Sequence, residues 1–139
     1  MTTTINASTS NGLVQTADGS GIIKVQSNGV TTNALAWGSY AMVGSGSTPT
    51  LRSSYNISSI TRNSAGNYTF AFTNSMSDAN YSSPCCVNYL SGTGTLASAV
   101  ASTNSKSTSS VQFLVGYVAT GGAGATLYDY GIDFAIFGN

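Results

Sequence analysis

Very little in this chain can do covalent chemistry. Its 139 residues include four acidic and four basic side chains, two cysteines and eight tyrosines, and no histidine. Without an imidazole, neither a Ser-His-Asp nor a Cys-His relay can be assembled. Zinc sites built from histidine are excluded, and two cysteines alone cannot close a structural zinc site. The glycine-rich stretch Gly121-Gly122-Ala123-Gly124 lacks the Lys and Ser/Thr that follow a phosphate-cradling loop, so it reads as a flexible loop. The chain is expected not to be an enzyme and to hold neither cofactor nor metal.

Two pairs of residues need a closer look. Sugar hydrolysis needs two carboxylates roughly 5 to 9.5 Å apart. Asp129 and Asp133 are the closest pair in sequence. On one straight strand they would stand about 13 Å apart at ~3.3 Å per residue. Only a bend at Gly131, or pairing across a subunit boundary, would shorten that, so both are read as structural or solvent-facing. Cys85 and Cys86 are adjacent, and neighbouring Cα atoms are about 3.8 Å apart where a disulfide wants about 5.5 to 6 Å. They are expected to be free thiols acting as small hydrophobes, one facing inward and one outward along a strand.

What remains is chemistry of binding. Tyrosine supplies contact area at low entropic cost, and Ser, Gly and Asn supply adaptable hydrogen bonds, as on antibody paratopes. Tyr81, Tyr89, Tyr128 and Tyr130 are the candidate receptor contacts. The Ser77–Ser83 and Ala119–Tyr130 loops are the expected contact loops. The competing role for each tyrosine is to cap the core with its hydroxyl in water.

The elements that would position these residues are strands. Helix formers such as Glu and Gln are scarce, while β-branched and aromatic residues are plentiful. Tyr68, Phe70 and Phe72 alternate with Thr69, Ala71 and Thr73, the period-two pattern of a half-buried strand. With Ile57–Arg62 and the turn formers between them, they predict a β-hairpin. Val111–Val118 is apolar on both faces, so it is expected to be central or to face both a core and a subunit contact. Gly131–Phe137 is an apolar closing strand. Further strands are expected at Ile22–Gln26, Leu35–Val43, Thr50–Tyr55 and Cys86–Leu90. Ala97–Ala101 could make a helical turn, but Ser98, Ser102 and Thr103 argue for an extended segment. Many short strands separated by turn chemistry predict an all-β fold, a β-sandwich for which a jelly-roll winding is one form. Residues 1–32 are polar and turn-rich, and read as an extended N-terminal arm ahead of a compact domain over 33–139. The arm is either a loose terminus or a segment that adds strands to another protein. Ile22, Ile23 and Val25 would be wasted in a loose one.

Charge narrows the partners. Charged residues make up 6% of the chain and the formal net charge is zero, against roughly 25% charged residues in an average domain. Four scattered basic side chains cannot build the phosphate-neutralising stripe that nucleic-acid binding requires. No run of about 18 apolar residues exists for a membrane span. The N-terminus has neither the basic start nor the apolar stretch of a signal peptide, which points to synthesis in the cytoplasm. Hydrophobic residues at 41% supply material for a core, so low charge here does not imply disorder.

Several motifs carry a resemblance. Leu51-Arg52-Ser53-Ser54-Tyr55-Asn56-Ile57-Ser58-Ser59-Ile60-Thr61-Arg62-Asn63 runs into Gly66-Asn67-Tyr68-Thr69-Phe70 and then Met76-Ser77-Asp78-Ala79-Asn80-Tyr81. The sequence resembles a module of tailed-bacteriophage fibre proteins, departing from its pattern at Ser77, where proline is common. Ala34–Tyr40 resembles the aromatic strand that opens the module, and Gly21–Val30 resembles the repeating strand of fibre shafts. Together these cover about two-thirds of the chain. The resemblance implies a trimeric, distal receptor-binding domain on a virion, made in the host cytoplasm. Its partners would be two further copies of itself, another virion protein met by the N-terminal arm, and a host surface receptor such as a saccharide. The alternative is a capsid decoration or other structural virion protein that binds no receptor.

Overall fold

The computed structural model describes residues 26–27, 30–31, 34–41, 49–88, 99–118 and 124–138. They form strands β1 (Gln26–Ser27), β2 (Val30–Thr31), β3 (Ala36–Ala41), β4 (Thr50–Tyr55), β5 (Ile57–Ser64), β6 (Asn67–Phe72), β7 (Cys85–Asn88), β8 (Ala99–Lys106), β9 (Ser110–Val118), β10 (Ala125–Leu127) and β11 (Gly131–Ile136). The described residues contain no helix, and so none long and apolar enough to cross a membrane. Among the described residues, β1 and β2 pair only with each other. The rest of the arm expected over 1–32 lies outside the described residues.

Two antiparallel sheets make the body. In the first, β5, β6, β9 and β8 lie side by side. β6 covers Ser110–Leu114 of β9, and β10 continues the same edge over Gly116–Val118. In the second, the order is β4-β3-β11-β7. The chain is therefore an all-β protein built as a β-sandwich. Its winding is a set of local hairpins, β3–β4, β5–β6 and β8–β9, closed by β11 entering between β3 and β7. A jelly roll would place β3 and β4 in opposite sheets, so that form does not apply.

The period-two pattern has the expected consequence. Tyr68, Phe70 and Phe72 of β6 and Val111, Phe113 and Val115 of β9 face Ala36 and Tyr40 of β3 and Ile132, Phe134 and Ile136 of β11. Phe70 sits at the centre, edge-on to Phe134 at 4.6 Å and Phe113 at 5.7 Å between ring centroids. Such edge-to-face contacts add about 0.5–1.5 kcal/mol each to the burial of area. β9 is central, flanked on both edges. Its outward row has Gln112 and Leu114 half-buried and Val118 exposed.

One corner joins the sheets directly. β4 runs into β5 through Asn56, whose φ of 58° is the left-handed conformation that Asn tolerates better than other side chains. Its side chain clamps the corner. Nδ2 donates to the carbonyls of Leu35 (3.1 Å) and Asn74 (3.0 Å), and Oδ1 accepts from the Asn74 amide (2.7 Å).

Candidate functional site

The tyrosines that the structure brings together lie at one end of the sandwich, on the segment between β10 and β11. Tyr128 stands edge-on to Tyr117 of β9, with ring centroids 6.1 Å apart, and tilted against Tyr130 at 5.1 Å. Tyr128 is 44% exposed, and its neighbour Leu127 is 39% exposed. Tyr130 is half-buried, packed against the core. The result is a three-ring aromatic cluster with one ring offered to solvent.

Asp129 holds this segment in place. The Tyr130 amide donates to the Tyr128 carbonyl at 3.0 Å, a γ-turn about Asp129 that sends its side chain inward. Oδ1 accepts from Arg62 Nε (3.1 Å), from the Gly66 amide (2.9 Å) and from the Tyr68 hydroxyl, and Oδ2 accepts from Arg62 Nη2 (2.8 Å). The Arg62–Asp129 pair is two-pronged, the geometry in which guanidinium matches carboxylate best. It fastens β5 to the tyrosine segment across 67 residues of chain.

Gly66 completes the fastening. The hairpin tip between β5 and β6 enters the junction of β6 and β10, where Val115 donates to the Gly66 carbonyl (2.8 Å) and Tyr128 donates to the Val115 carbonyl (3.0 Å). Gly66 has φ 65°, and a Cβ there would lie 2.2 Å from the Val115 oxygen and 2.6 Å from the Tyr128 nitrogen. Only glycine fits. From the far side the Tyr40 hydroxyl donates to the Tyr130 carbonyl at 3.2 Å. Burial first, then the neighbouring Tyr68 and Asp129, pushes the Tyr40 phenol well above its ordinary value. Burial and the bond to Asp129 do the same for Tyr68. Both remain neutral donors at any ordinary pH. The Asp129 bond in turn raises the Arg62 guanidinium further.

The other sequence candidates fare differently. Tyr81 is 3% exposed, its ring is in the core, and its hydroxyl donates to the carbonyls of Ser107 (3.1 Å) and Ser110 (3.0 Å). It anchors its loop and presents no face to a partner. Tyr89 lies outside the described residues. Asp129 belongs to the buried network with Arg62, Gly66 and Tyr68, while Asp133 accepts from Asn88 Nδ2 at 3.0 and 3.1 Å. Cys85 and Cys86 are free thiols, the first half-buried against the core and the second exposed, as strand alternation requires. Burial, with the Cys86 thiol beside it, pushes the Cys85 thiol up.

Sequence reasoning missed Arg62 and Gly66 as positioning residues. Arg62 stands on the inward face of β5, opposite Tyr68, and an arginine at an inward position of an alternating strand is itself the signal of a buried acidic partner. Comparison with protein-family models, curated proteins and solved structures returned no match.

Proposed function

We propose that this chain is a bacteriophage virion fibre protein that assembles as a homotrimer and binds a host-cell surface glycan through its tyrosine segment. The observation that carries this reading is the Tyr117–Tyr128–Tyr130 cluster, with Tyr128 exposed on a segment held rigid by the Asp129 network. A preorganised aromatic face loses little entropy when a sugar ring stacks on it. The charges beneath it, Arg62 and Asp129, neutralise each other, which suits hydroxyl-rich ligands. Trimer formation multiplies weak sugar contacts through effective concentration. An apolar patch on the outer face of the first sheet supports association: Val100 (41% exposed) and Leu127 (39%) flank Gly116 in register, with Val118 (44%) next to them. An N-terminal arm over residues 1–32 would attach the protein to the virion.

A bacterial glycan array probed with the purified full chain tests the reading. Binding is expected to at least one surface polysaccharide and to fall about tenfold or more in Tyr128→Ala. It should change little between low salt and about 0.5 M NaCl, where the Debye length is roughly 4 Å. Light scattering should give a species of about three times the 14.1 kDa chain. A monodisperse monomer that binds no glycan would end the reading. Trimers that coat the capsid and bind no glycan would establish the decoration-protein alternative.

A further inference from the structure

The second sheet presents a different surface from the tyrosine segment. On β3, Trp37 points away from the core and is 39% exposed; its register partner on β4, Tyr55, is 46% exposed, and its register partner on β11 is Ala135. The Ala135 amide donates to the Pro84 carbonyl at 3.1 Å, which brings Pro84 to the end of this row. The next row on the same face is Ser53–Ser39–Asp133–Cys86. An apolar row thus lies one strand repeat from a polar one. Register diagonals of this kind span about 7–8 Å, within reach of long side chains. Beside Ala135 is an open depression of about 330 Å³ lined by Pro84, Cys85, Cys86, Asp133, Phe134 and Ala135. That is the lower end of the roughly 300–1,000 Å³ of small-molecule sites.

Asp133 is oriented for accepting. Asn88 Nδ2 donates to both of its oxygens, at 3.0 and 3.1 Å, and is 3.5 Å from Ser39 Oγ. Each carboxylate oxygen has acceptor capacity beyond one bond, and among the described residues no Lys or Arg forms an ion pair with Asp133. A subunit interface of ordinary size needs about 800 Å² from each partner and a core depleted of charge. A two-ring row bordered at once by hydroxyls and a carboxylate does not meet that description.

We infer that the outer face of this sheet is a second saccharide-binding site, with Trp37 and Tyr55 as the stacking platform and Asp133 as acceptor for sugar hydroxyls at the mouth of the depression. A pyranose has an apolar C–H face and hydroxyls around its rim, so it matches apolar and polar rows set side by side. The carboxylate selects neutral sugars and repels uronic or sulfated ones. The site takes its ligand class independently of the tyrosine segment and lies on a different sheet.

Trp37 is the chain's one tryptophan, so its emission reports on this face alone. The test titrates the full-length protein with neutral gluco-, galacto- and manno-oligosaccharides and follows that emission. At least one series should give a saturable change in the millimolar range or tighter. Asp133→Asn and Tyr55→Ala, which keep the reporter, should each weaken it at least fivefold, and Thr61→Ala on the opposite sheet should not. Melting temperatures of the variants separate lost binding from lost fold. A uronic-acid oligomer should give no response. No saturable response to any neutral series, or equal affinity in Asp133→Asn and Tyr55→Ala, overturns the site. Binding by Tyr128→Ala on the glycan array tests the tyrosine segment separately, so either site can fail alone.

Discussion

Removing the Asp129 carboxylate tests whether the tyrosine segment is held as described. In Asp129→Ala the Tyr68 hydroxyl and the Gly66 amide, both buried, lose their acceptor. An orphaned buried donor costs about 1–3 kcal/mol, and two are orphaned here, while the Arg62 side chain, 27% exposed, turns to water. About 2–6 kcal/mol is the expected total for the two donors. Unfolding entropy of about 2.1 cal/mol/K per residue gives roughly 0.3 kcal/mol/K for a chain this long. The melting temperature should therefore fall by about 7–20 °C in a calorimetric or circular-dichroism melt. Tyr68→Phe removes one donor and leaves the carboxylate with Arg62 and Gly66, so it should cost about 1 kcal/mol and roughly 3 °C. Hydrogen exchange should show faster exchange at Tyr128 and Tyr130 in Asp129→Ala, while the Phe70–Phe113 core keeps its protection. A fall of less than about 3 °C in Asp129→Ala, or equal falls in the two variants, would refute the view that this carboxylate fastens β5 and β6 to the segment.

Three other outcomes follow from the same geometry. Gly66→Ala should be at least as damaging as Asp129→Ala, because the added methyl meets the backbone of Val115 and Tyr128; soluble expression with an unchanged melt would contradict it. Stability against alkali should hold below pH 10, the ordinary phenol value, and then fall as pH rises, since Tyr40 and Tyr68 ionise more readily unfolded than folded; urea midpoints at pH 8, 10 and 11.5 measure this, and a flat profile to pH 11.5 would sink it. Alkylation at pH 8 should modify exposed Cys86 first and half-buried Cys85 at least tenfold more slowly, with reducing agent leaving the melt unchanged; mass spectrometry after timed quenching reads the order.

The strands that were legible are those rich in aromatic and β-branched residues or bounded by clear turn formers. β6 and the closing β11 were readable because large apolar residues recur every second position, the β5–β6 hairpin from the turn formers between its strands, and the central β9 from its continuous apolar run. β8 was harder. Ala99, Ala101 and Thr103 face inward and Val100, Ser102 and Asn104 outward, and such small or polar residues leave almost no contrast between faces. Its turn into β9 is made without glycine, closed by the Ser107 amide on the Ser110 carbonyl at 2.9 Å and the Ser110 amide on Ser107 Oγ at 3.0 Å. β10 was hidden because its pairing depends on β9 offering an edge that β6 leaves open, a relation no local pattern encodes. The candidate site was half legible. Tyr128 and Tyr130 belong to the cluster, but Tyr81 looks identical in sequence and is pulled inward by two carbonyls at the β8–β9 turn.

The fate of Tyr81 bears on where function should be sought. Several residues that carry the fibre resemblance build the fold. Asn56 turns the corner between the sheets, and Gly66 and Tyr68 fasten the hairpin. The Met76–Tyr81 loop buries its two ends, at 7% and 3% exposure, around a turn in which Asp78 Oδ1 accepts from the Asn80 amide at 2.6 Å. Lys106 then donates to the Tyr81 carbonyl at 2.9 Å and covers its ring, closing that end. Motif residues spent on folding, such as Asn56, Tyr68 and Tyr81, are poor carriers of ligand specificity, since their polar atoms are partnered and the two rings are buried. Under the proposed function, specificity resides in side chains that the frame holds outward at a cost in exposed apolar area. Tyr128 at the end of the sandwich and the Trp37–Tyr55 pair on the face of the second sheet are such side chains. The exposure of each ring on a rigid strand or a pinned turn is the physical reason to test for a ligand there and not at the buried motif residues such as Tyr68 and Tyr81.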